Sequence, residues 1–232
     1  MPENIARNFS DCDRLWIVIG DIHEDLGNFR KIPELARANG VIISGDLSNC
    51  GDREVASRVL SAIRARDLPV FAQIGNMDTA NIDAWLTAEG VNIHPSVREL
   101  APDTAILGIG GSTITPMNTC SEFPEEAYAK WLADEWEQAR AYRHKILISH
   151  NPPKDTVCDA INPSLHVGST AVRQFIEREQ PEICVCGHIH EGRGVDRIGE
   201  TTIINPGTLA DGGYVVLCYA NGQWSASLAK VD

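Results

Sequence analysis

The sequence has 232 residues, of which 43% are hydrophobic and 22% charged, and it carries a formal net charge of −12 at pH 7. This composition excludes disordered, collagen-like and coiled-coil chains and predicts one globular domain over residues 1–232. The negative charge disfavours a long nucleic acid as partner, because phosphate backbones are bound mainly by Lys and Arg. We find no apolar run of the roughly 20 residues that cross a bilayer, and residues 1–7 lack an apolar signal core. We therefore expect a cytoplasmic protein without a membrane partner.

Seven cysteines are scattered along the chain without a C-x-x-C pair. An odd number in this arrangement predicts neither a disulfide framework nor a thiolate zinc site, so we expect reduced thiols. Cys184 and Cys186 alternate with Ile183 and Val185 in an apolar run and are predicted to lie in the core.

The first half of the chain alternates apolar runs with helical patterns. Three runs have the composition of buried strands, and they cover residues 15–19, 41–43 and 69–74. Apolar side chains at helical spacing follow each run, over residues 25–39, 52–66 and around 82–86. Asp52 is the candidate cap of the second helix. Strands that alternate with helices are typical of the α/β class.

The second half is richer in extended segments. Short strands are predicted over residues 91–109, and a loop rich in Ser and Thr over residues 111–123. Pro124 suits the first turn of a helix whose buried side chains are Tyr128, Trp131, Leu132 and Trp136. Further predicted elements are strands at 145–148 and 183–186, a loop at 151–168, a helix from Ser169 to Gln180, and a terminal hairpin that turns at Asn221-Gly222.

Polar side chains able to bind metal follow five of these strands. They are Asp21 and His23, Asp46, Asn76, His150, and His188 with His190. Ligand sites of α/β sheets gather beyond the carboxyl ends of strands, so these seven groups are predicted to share one site. Taken singly, each is more often an ordinary turn or core residue, but their joint order favours a site. Two ions that share one carboxylate would use all seven groups and leave room for water.

In this order the motifs resemble those of the calcineurin-like metallophosphoesterases. The family motifs D-x-H, G-D, G-N, a lone His and G-H-x-H correspond to Asp21-Ile22-His23, Gly45-Asp46, Gly75-Asn76, His150 and Gly187-His188-Ile189-His190. The resemblance covers about residues 15–210. It implies a single metallophosphoesterase domain with two packed mixed β-sheets flanked by helices, in four α-β-β-α layers.

The resemblance also implies a ligand arrangement. Asp21, His23, Asp46 and His190 would hold one divalent ion, while Asp46, Asn76, His150 and His188 would hold the other, with Asp46 as the bridge. Asn76 would also act in catalysis. Oxygen and nitrogen ligands without thiolate suit manganese, iron, zinc, nickel or cobalt, and manganese is the working expectation. The reaction expected of such a pair of ions is phosphoester hydrolysis by water activated between them.

One motif departs from the family pattern. Many phosphatases of the family carry G-N-H-D or G-N-H-E, whose His is thought to protonate the leaving alkoxide, whereas this chain has Met77 at that position. Chains of the small prokaryotic branch often lack this His and resemble phosphodiesterases. The resemblance therefore favours a phosphodiesterase with a small phosphodiester substrate.

A second histidine is a candidate replacement for the missing acid. His166 precedes Gly168 and Ser169, which open a predicted helix whose free N–H groups could bind a phosphate oxygen. The alternative is an exposed loop histidine beside an ordinary serine cap. Asp78 is a candidate to orient a ligand, Arg193 stays outside the core site, and His94 and His144 receive no role.

Two other functions remain open at this level. The chain could be a phosphomonoesterase, or a metal-binding scaffold for protein interactions that lacks catalysis. A nuclease ranks last among the enzymes, because the net charge of −12 opposes broad contact with DNA. The sequence names neither the substrate nor the oligomeric state.

Overall fold

The computed structural model describes residues 9–231 of the chain. The first half contains β1 (Arg14–Ile19), β2 (Gly40–Ile43), α1 (Arg53–Arg64), β3 (Val70–Ala72), α2 (Ala80–Ala88), β4 (Ser96–Ala101), β5 (Thr104–Ile109), β6 (Ser112–Thr113) and β7 (Glu122–Phe123). The second half contains α3 (Glu125–Gln138), β8 (His144–Ser149), β9 (Ala160–Asn162), β10 (Leu165–His166), α4 (Thr170–Glu179), β11 (Ile183–Val185), β12 (Gly194–Ile198), β13 (Thr201–Asn205), β14 (Gly213–Ala220) and β15 (Gln223–Lys230).

Two mixed sheets form the centre of the fold. The first has the strand order β15-β14-β1-β2-β3. In it β1, β2 and β3 run parallel, whereas β14 pairs antiparallel with both β1 and β15. The second has the order β12-β13-β11-β8-β5-β4, with four parallel central strands between antiparallel edges. Because both sheets have a parallel block, each presents several carboxyl strand ends along one edge.

The sheets pack face to face through alternate side chains of their strands. Val18 and Ile42 of the first sheet share one buried cluster with Ile106, Ile146 and Val185 of the second. Successive residues of a strand point to opposite faces, so the neighbours of these residues face outward.

The outward faces are covered by helices. Ile17 and Ile43 pack with side chains of α1 and α2, such as Leu60 and Ile82, whereas Leu147 packs with side chains of α3 and α4. The layers therefore run helices, sheet, sheet, helices, which confirms the predicted four-layer α/β architecture.

The prediction of a helix over residues 25–39 is wrong. The structure has two short 3₁₀ turns there, Phe29–Lys31 and Pro33–Ala36, and Ile32 between them is extended. Proline disfavours helical backbone in the residue before it and lacks the N–H that a continuing helix needs. The apolar periodicity is still used, because Phe29, Ile32 and Leu35 are buried.

The expectation of only reduced cysteines is also wrong. Cys12 and Cys218 form a disulfide, with Cα atoms 5.5 Å apart and a sequence separation of 206. Cys12 lies just before β1, and Cys218 lies on β14 opposite Leu15 of β1, so strand pairing brings the two together. The predicted burial of Cys184 and Cys186 is confirmed.

Several local predictions of elements are confirmed in detail. The Asp52 side chain caps α1 by accepting hydrogen bonds from the N–H groups of Glu54 and Val55. Asn221 and Gly222 both have positive φ, as a two-residue hairpin turn requires. Trp131 and Trp136 differ from the prediction, because they are only partly buried against the core.

None of the helices within residues 9–231 is long and apolar enough to span a membrane.

Candidate metal centre

The predicted ligands follow the carboxyl ends of five strands. Asp21, Asp46 and Asn76 come after β1, β2 and β3 of the first sheet, while His150 and His188 come after β8 and β11 of the second. Because the sheets pack face to face, the two edges bring these side chains to one place.

One group of ligands lies toward the protein surface. The Asp21 Oδ1 atom lies 3.3 Å from Nε2 of His190, and the Nε2 atoms of His23 and His190 lie 3.4 Å apart. Asp21 is buried, whereas His190 is exposed. One donor atom from each of the three residues fits within 4.8 Å, which is close enough for a shared ion.

A second group lies deeper and is joined to the first through Asp46. Oδ2 of Asp46 lies 3.4 Å from Nε2 of His150 and 3.7 Å from Nε2 of His23. Donor atoms of Asp21, Asp46 and His150 also fit within 4.8 Å, and all three residues are buried. Although burial opposes ionisation, attraction to His150 lowers the pKa of the Asp46 carboxyl. Asp46 is thus an ionised carboxylate between the two groups.

Asn76 and His150 are held by hydrogen bonds outside the centre. The Asn76 side-chain amide donates to Oγ1 of Thr119, and its Oδ1 faces Nε2 of His150 at 3.1 Å. Nδ1 of His150 lies 3.1 Å from the Ser44 carbonyl oxygen, which can only accept. Such outer partners fix the orientation of metal-binding side chains and keep Nε2 as the atom that faces the site.

Opposite electrostatic effects act on His150, which is buried, and on His188, which is half-buried. Burial alone would lower the pKa of His150, but attraction to Asp46 raises it to about 9. Burial and repulsion from His150 lower the pKa of His188 to about 4, so its ring is neutral. The backbone N–H of His188 donates to the Asp21 carboxylate at 3.0 Å. A neutral imidazole with a free lone pair is the form that binds a metal ion.

The donor set fits divalent cations. Two buried carboxylates, Asp21 and Asp46, lie within a cluster of imidazole nitrogens. Buried charges are costly unless they are paired or bind metal. Carboxylate, amide and imidazole donors without thiolate suit first-row divalent ions.

Four of the predicted ligands have left-handed backbone conformations. Asp21, His23, Asp46 and His188 have φ values of 46°, 46°, 53° and 66°, in the left-handed region that non-glycine residues rarely adopt. Each such conformation costs on the order of 1–3 kcal/mol and persists where the surrounding structure enforces it, most often at functional sites.

Two motif glycines leave space for carboxylates. A Cβ on Gly75 would overlap the Asp46 carboxylate and backbone, and one on Gly187 would lie 2.5 Å from Oδ2 of Asp21. Larger residues would displace both carboxylates, so the glycines set where the ligands lie.

Asp78 supports the loop that carries Asp46. Its carboxylate is buried and accepts hydrogen bonds from the N–H groups of Leu47, Ser48 and Gly75 and from the Ser48 hydroxyl. Burial and the nearby Asp46 raise the pKa of Asp78 to about 7. Asp78 therefore binds the backbone just after Asp46 and just before Asn76, and it positions both of these ligands.

Three further residues that were not predicted from the sequence support the centre. Gln73 donates to carbonyls of Ser44, Ile109 and Ile148 and so ties the two sheets together near the site. Asn205 donates to the carbonyls of Gly187 and Ile189. Glu122 accepts hydrogen bonds from Thr119 and thereby orders the partner of Asn76. These are ordinary polar residues in sequence, and no motif that carries the resemblance includes them.

His166 is held by a buried carboxylate and lines a groove on the surface. Its Nδ1 is 2.7 Å from Oδ1 of the buried Asp159, and this hydrogen bond raises the pKa of His166. His166 and Glu191, the residue after His190, line a groove of about 500 Å³. The imidazole is therefore oriented by a carboxylate and borders a groove that Glu191 also lines.

The N–H groups that were predicted to bind phosphate at Gly168 and Ser169 are already used. Gly168 N–H donates to Asp159, and Ser169 N–H donates to the Pro152 carbonyl. The Glu125 carboxylate accepts from Thr170 N–H, from Ala171 N–H and from the Ser169 hydroxyl. The prediction of a phosphate site at Gly168 and Ser169 loses its physical basis, because a protein carboxylate occupies this helix terminus.

The remaining polar candidates have structural partners. Arg193 donates to the Ala229 carbonyl. His94 accepts from Gly110 N–H and packs edge-on against Trp131. His144 pairs with Glu182 at 2.6 Å.

The sequence and its relatives agree with this geometry. Residues 16–192 match the family model described as calcineurin-like phosphoesterase. An uncharacterised protein of Methanocaldococcus jannaschii, MJ1162, is 32% identical over 185 residues, which cover 76% of this chain and 83% of the relative.

Solved structures share the fold. The crystal structure of TT1561 of Thermus thermophilus is 19% identical with a TM-score of 0.72, over 94% of this chain and 99% of that one. The crystal structure of a dimetal phosphatase from Danio rerio is 13% identical with a TM-score of 0.64, over 96% of this chain and all of that one. The match to the family model over most of the chain carries the conclusion: this protein belongs to the calcineurin-like phosphoesterase family.

Proposed function

We propose that this protein hydrolyses a small phosphodiester with two divalent ions, and that manganese is the working metal. The observation that carries the proposal is the position of Asp46. Its carboxylate contacts His23 of the surface group and His150 of the deeper group. A carboxylate with a neighbour on each side suits the shared ligand of two ions.

The ligands divide into two sets. Asp21, His23, Asp46 and His190 would hold the outer ion, and Asp46, Asn76, His150 and His188 the inner one. The first set agrees with the compact group of Asp21, His23 and His190. The hydrogen bond from Asn76 to Thr119 turns the amide oxygen of Asn76 toward the inner position.

Bound divalent ions supply positive charge for phosphate oxygens and lower the pKa of water at the site. The chain itself contributes a candidate proton donor, His166. His166, whose pKa is raised by Asp159, lines a groove together with Glu191, the residue after His190, and would donate its proton to the leaving alkoxide. This role compensates for Met77, which has no proton to give.

Two observations favour a diester over a monoester. A monoester dianion is usually bound by additional cationic side chains, but Arg193, the first cationic residue after His190, bonds the Ala229 carbonyl. The groove beside the centre is lined by Val157, Ile161 and other residues and offers apolar contact area for a second ester substituent.

A phosphomonoesterase is the second candidate. The Danio rerio protein of similar fold is described as a dimetal phosphatase, and a protein of Staphylococcus aureus with a TM-score of 0.59 as a putative 5′-nucleotidase. Their identities of 13% and 14% make these names a reason to test monoesters.

We propose the cytoplasm as location and a small molecule, without membrane or long nucleic acid, as partner. The five free cysteines support this location, whereas the Cys12–Cys218 disulfide is of a kind that persists in oxidising compartments. The negative net charge supports the exclusion of long nucleic acids.

The test compares bis-(p-nitrophenyl) phosphate with p-nitrophenyl phosphate on metal-stripped protein, with and without manganese. Manganese-dependent hydrolysis that prefers the diester supports the proposal, and preference for the monoester replaces it with a phosphatase. Bound manganese without turnover of either ester, or of a panel of nucleotide diesters, favours the scaffold function. Asp46→Asn is the control for site-dependent activity.

A further inference from the structure

Two exposed cysteines lie on loops that flank the Asn76-Met77 turn. The Cys50 N–H donates to the Met77 carbonyl at 2.8 Å. On the other side, the N–H of Ser121, which follows Cys120, donates to the Asn76 carbonyl at 2.9 Å. The Ser121 hydroxyl also donates to the Asp78 carbonyl. The same turn therefore holds both cysteine-bearing segments in place.

This anchoring brings the two thiols together. The Cys50 thiol lies beside the Cys120 thiol and is one of the causes that raise the pKa of Cys120. Both are exposed, whereas the other free cysteines, Cys158, Cys184 and Cys186, are buried. The pair is thus the place within residues 9–231 where two free thiols are both in contact and open to a solute.

The pair is connected to the metal centre on both sides. Cys50 is four residues after Asp46, on the loop that Asp78 supports. Cys120 directly follows Thr119, whose hydroxyl accepts the hydrogen bond that orients Asn76. A covalent link between the thiols would therefore act on the partner of one predicted ligand.

We propose that Cys50 and Cys120 form a reversible disulfide on exposure to a hydroperoxide, and that this modification lowers turnover at the adjacent centre. The statement about turnover rests on the proposed function, whereas formation of the disulfide does not.

The reaction has two steps. The Cys50 thiolate attacks the hydroperoxide, the O–O bond breaks, and Cys50 becomes a sulfenic acid while the alkoxide takes up a proton and leaves as alcohol or water. The Cys120 sulfur then displaces the sulfenic oxygen, the S–S bond forms, and water leaves with the thiol proton. In total, two thiols and one hydroperoxide yield one disulfide, one alcohol and one water.

The surroundings assign the order of the two cysteines. Partial burial and the hydrogen bond to Cys50 raise the pKa of the Cys120 thiol to about 11. The thiolate is the nucleophile toward peroxide, so Cys120 suits the second step and Cys50 the first.

Disulfide formation would shift the loop that holds Thr119. An S–S bond of about 2 Å is shorter than any contact between two unbonded thiols, so closure draws Cys120 and its neighbour toward Cys50. The Asn76 amide then loses the partner that directs its oxygen. Loss of an outer partner of a metal ligand typically costs about 10- to 100-fold in affinity or activity, so we expect at least about a 10-fold loss of turnover.

The experiment treats full-length, manganese-loaded protein with hydrogen peroxide and maps its peptides without reduction. Wild type should yield a linked peptide that contains Cys50 and Cys120 and disappears with dithiothreitol. Cys50→Ser, Cys120→Ser and the double variant should give no such link and should keep their activity at the same dose. Ser is close to Cys in size and both sites are exposed, so these variants retain the fold.

Two readouts follow the consequence for the centre. Diester hydrolysis should fall about 10-fold on oxidation and return on reduction. Manganese affinity, measured by titration calorimetry, should fall in parallel, and this readout stays valid if no phosphoester is turned over. The double variant cannot form the disulfide, so any activity that it loses on peroxide treatment measures oxidation of the metal itself.

Two results would overturn the proposal. One is oxidation of each cysteine to sulfinic acid without a Cys50–Cys120 link. The other is complete linkage with manganese affinity and turnover both unchanged. A linked protein that loses manganese affinity but never hydrolyses an ester supports this inference and contradicts only the proposed function.

Discussion

Oδ2 of Asp46 lies 3.4 Å from Nε2 of His150, although the two residues come from different sheets. The contact joins the strand end of β2 to that of β8 and lies at the point where the two ligand sets meet. Its chemistry depends on the negative charge of Asp46, whose pKa is lowered mainly by His150 against the opposing effect of burial.

Asp46→Asn should abolish activity with little change in fold. The amide keeps the shape of the carboxylate but removes its charge, so it cannot balance two cations. We expect at least about a 100-fold loss in turnover, beyond what changes to outer partners cost. Metal content by mass spectrometry should fall below that of the wild type, and far-ultraviolet circular dichroism should remain the same. Full activity with the normal metal content would contradict the role of Asp46 as shared ligand.

Gly75→Ala tests whether the glycine sets the position of Asp46. A Cβ at Gly75 would overlap the Asp46 carboxylate and backbone, so the loop must move. We expect metal affinity to fall about 10- to 100-fold, as for other displaced supports of a metal site.

Gly27→Ala is the matched control for that substitution. A Cβ there meets only Oδ1 of Asp25, an exposed side chain, at 3.0 Å. Equal metal titration curves for Gly75→Ala and wild type would show that the loop absorbs the methyl group without moving Asp46.

The pair of His166 and Asp159 predicts a pH dependence. The hydrogen bond to Asp159 raises the pKa of His166, so its protonated form persists to higher pH than in an ordinary histidine. If this form donates the proton, kcat falls as the pH rises through that raised pKa. His166→Gln should remove this alkaline limb and lower kcat by about 10²- to 10⁴-fold for substrates with poor leaving groups.

An Asp159 variant and a substrate with a good leaving group distinguish a catalytic role of His166 from a structural one. Asp159→Asn removes the attraction that raises the pKa of His166, so the alkaline limb should move to lower pH. Esters of p-nitrophenol need little protonation and should be much less sensitive to His166→Gln. An equal loss on both kinds of substrate, with lower metal content, would show that His166 acts on the structure of the centre.

The candidate site was largely predictable from sequence, for a physical reason. Each ligand follows directly after an apolar run, as Asp21 follows β1 and His150 follows β8. Parallel strands place their carboxyl ends at one edge, so local order along the chain carries spatial information. The four-layer fold followed from the resemblance, because periodicity alone indicates the class and not how two sheets pack.

The features that the sequence did not predict depend mainly on contacts between residues far apart in the chain. The carboxylate that caps α4 comes from Glu125, 44 residues before Ser169, and nothing near Ser169 in sequence indicates it. The 3₁₀ turns near Pro33 show the opposite case, since the local effect of proline outweighed a correct apolar pattern. The cysteine pair beside Met77 depends on the loop from 111–123 folding back over the turn, which composition does not reveal.

The Cys12–Cys218 disulfide predicts a contribution to stability. It closes a loop across a sequence separation of 206 and ties the segment before β1 to β14. Cross-links over long loops restrict the unfolded chain, and removal of a native disulfide typically costs about 2–4 kcal/mol. Cys12→Ser should therefore lower the free energy of unfolding by about this amount in urea titrations of oxidised protein.

A buried free thiol provides the comparison for this prediction. Cys158→Ser removes a cysteine without removing a cross-link. Metal content and diester hydrolysis of Cys12→Ser should match the wild type below the unfolding transition, because the disulfide lies on β14, away from the strand ends that carry the ligands. An unfolding curve of Cys12→Ser that superimposes on that of the wild type would show that β1–β14 pairing holds this segment without the cross-link.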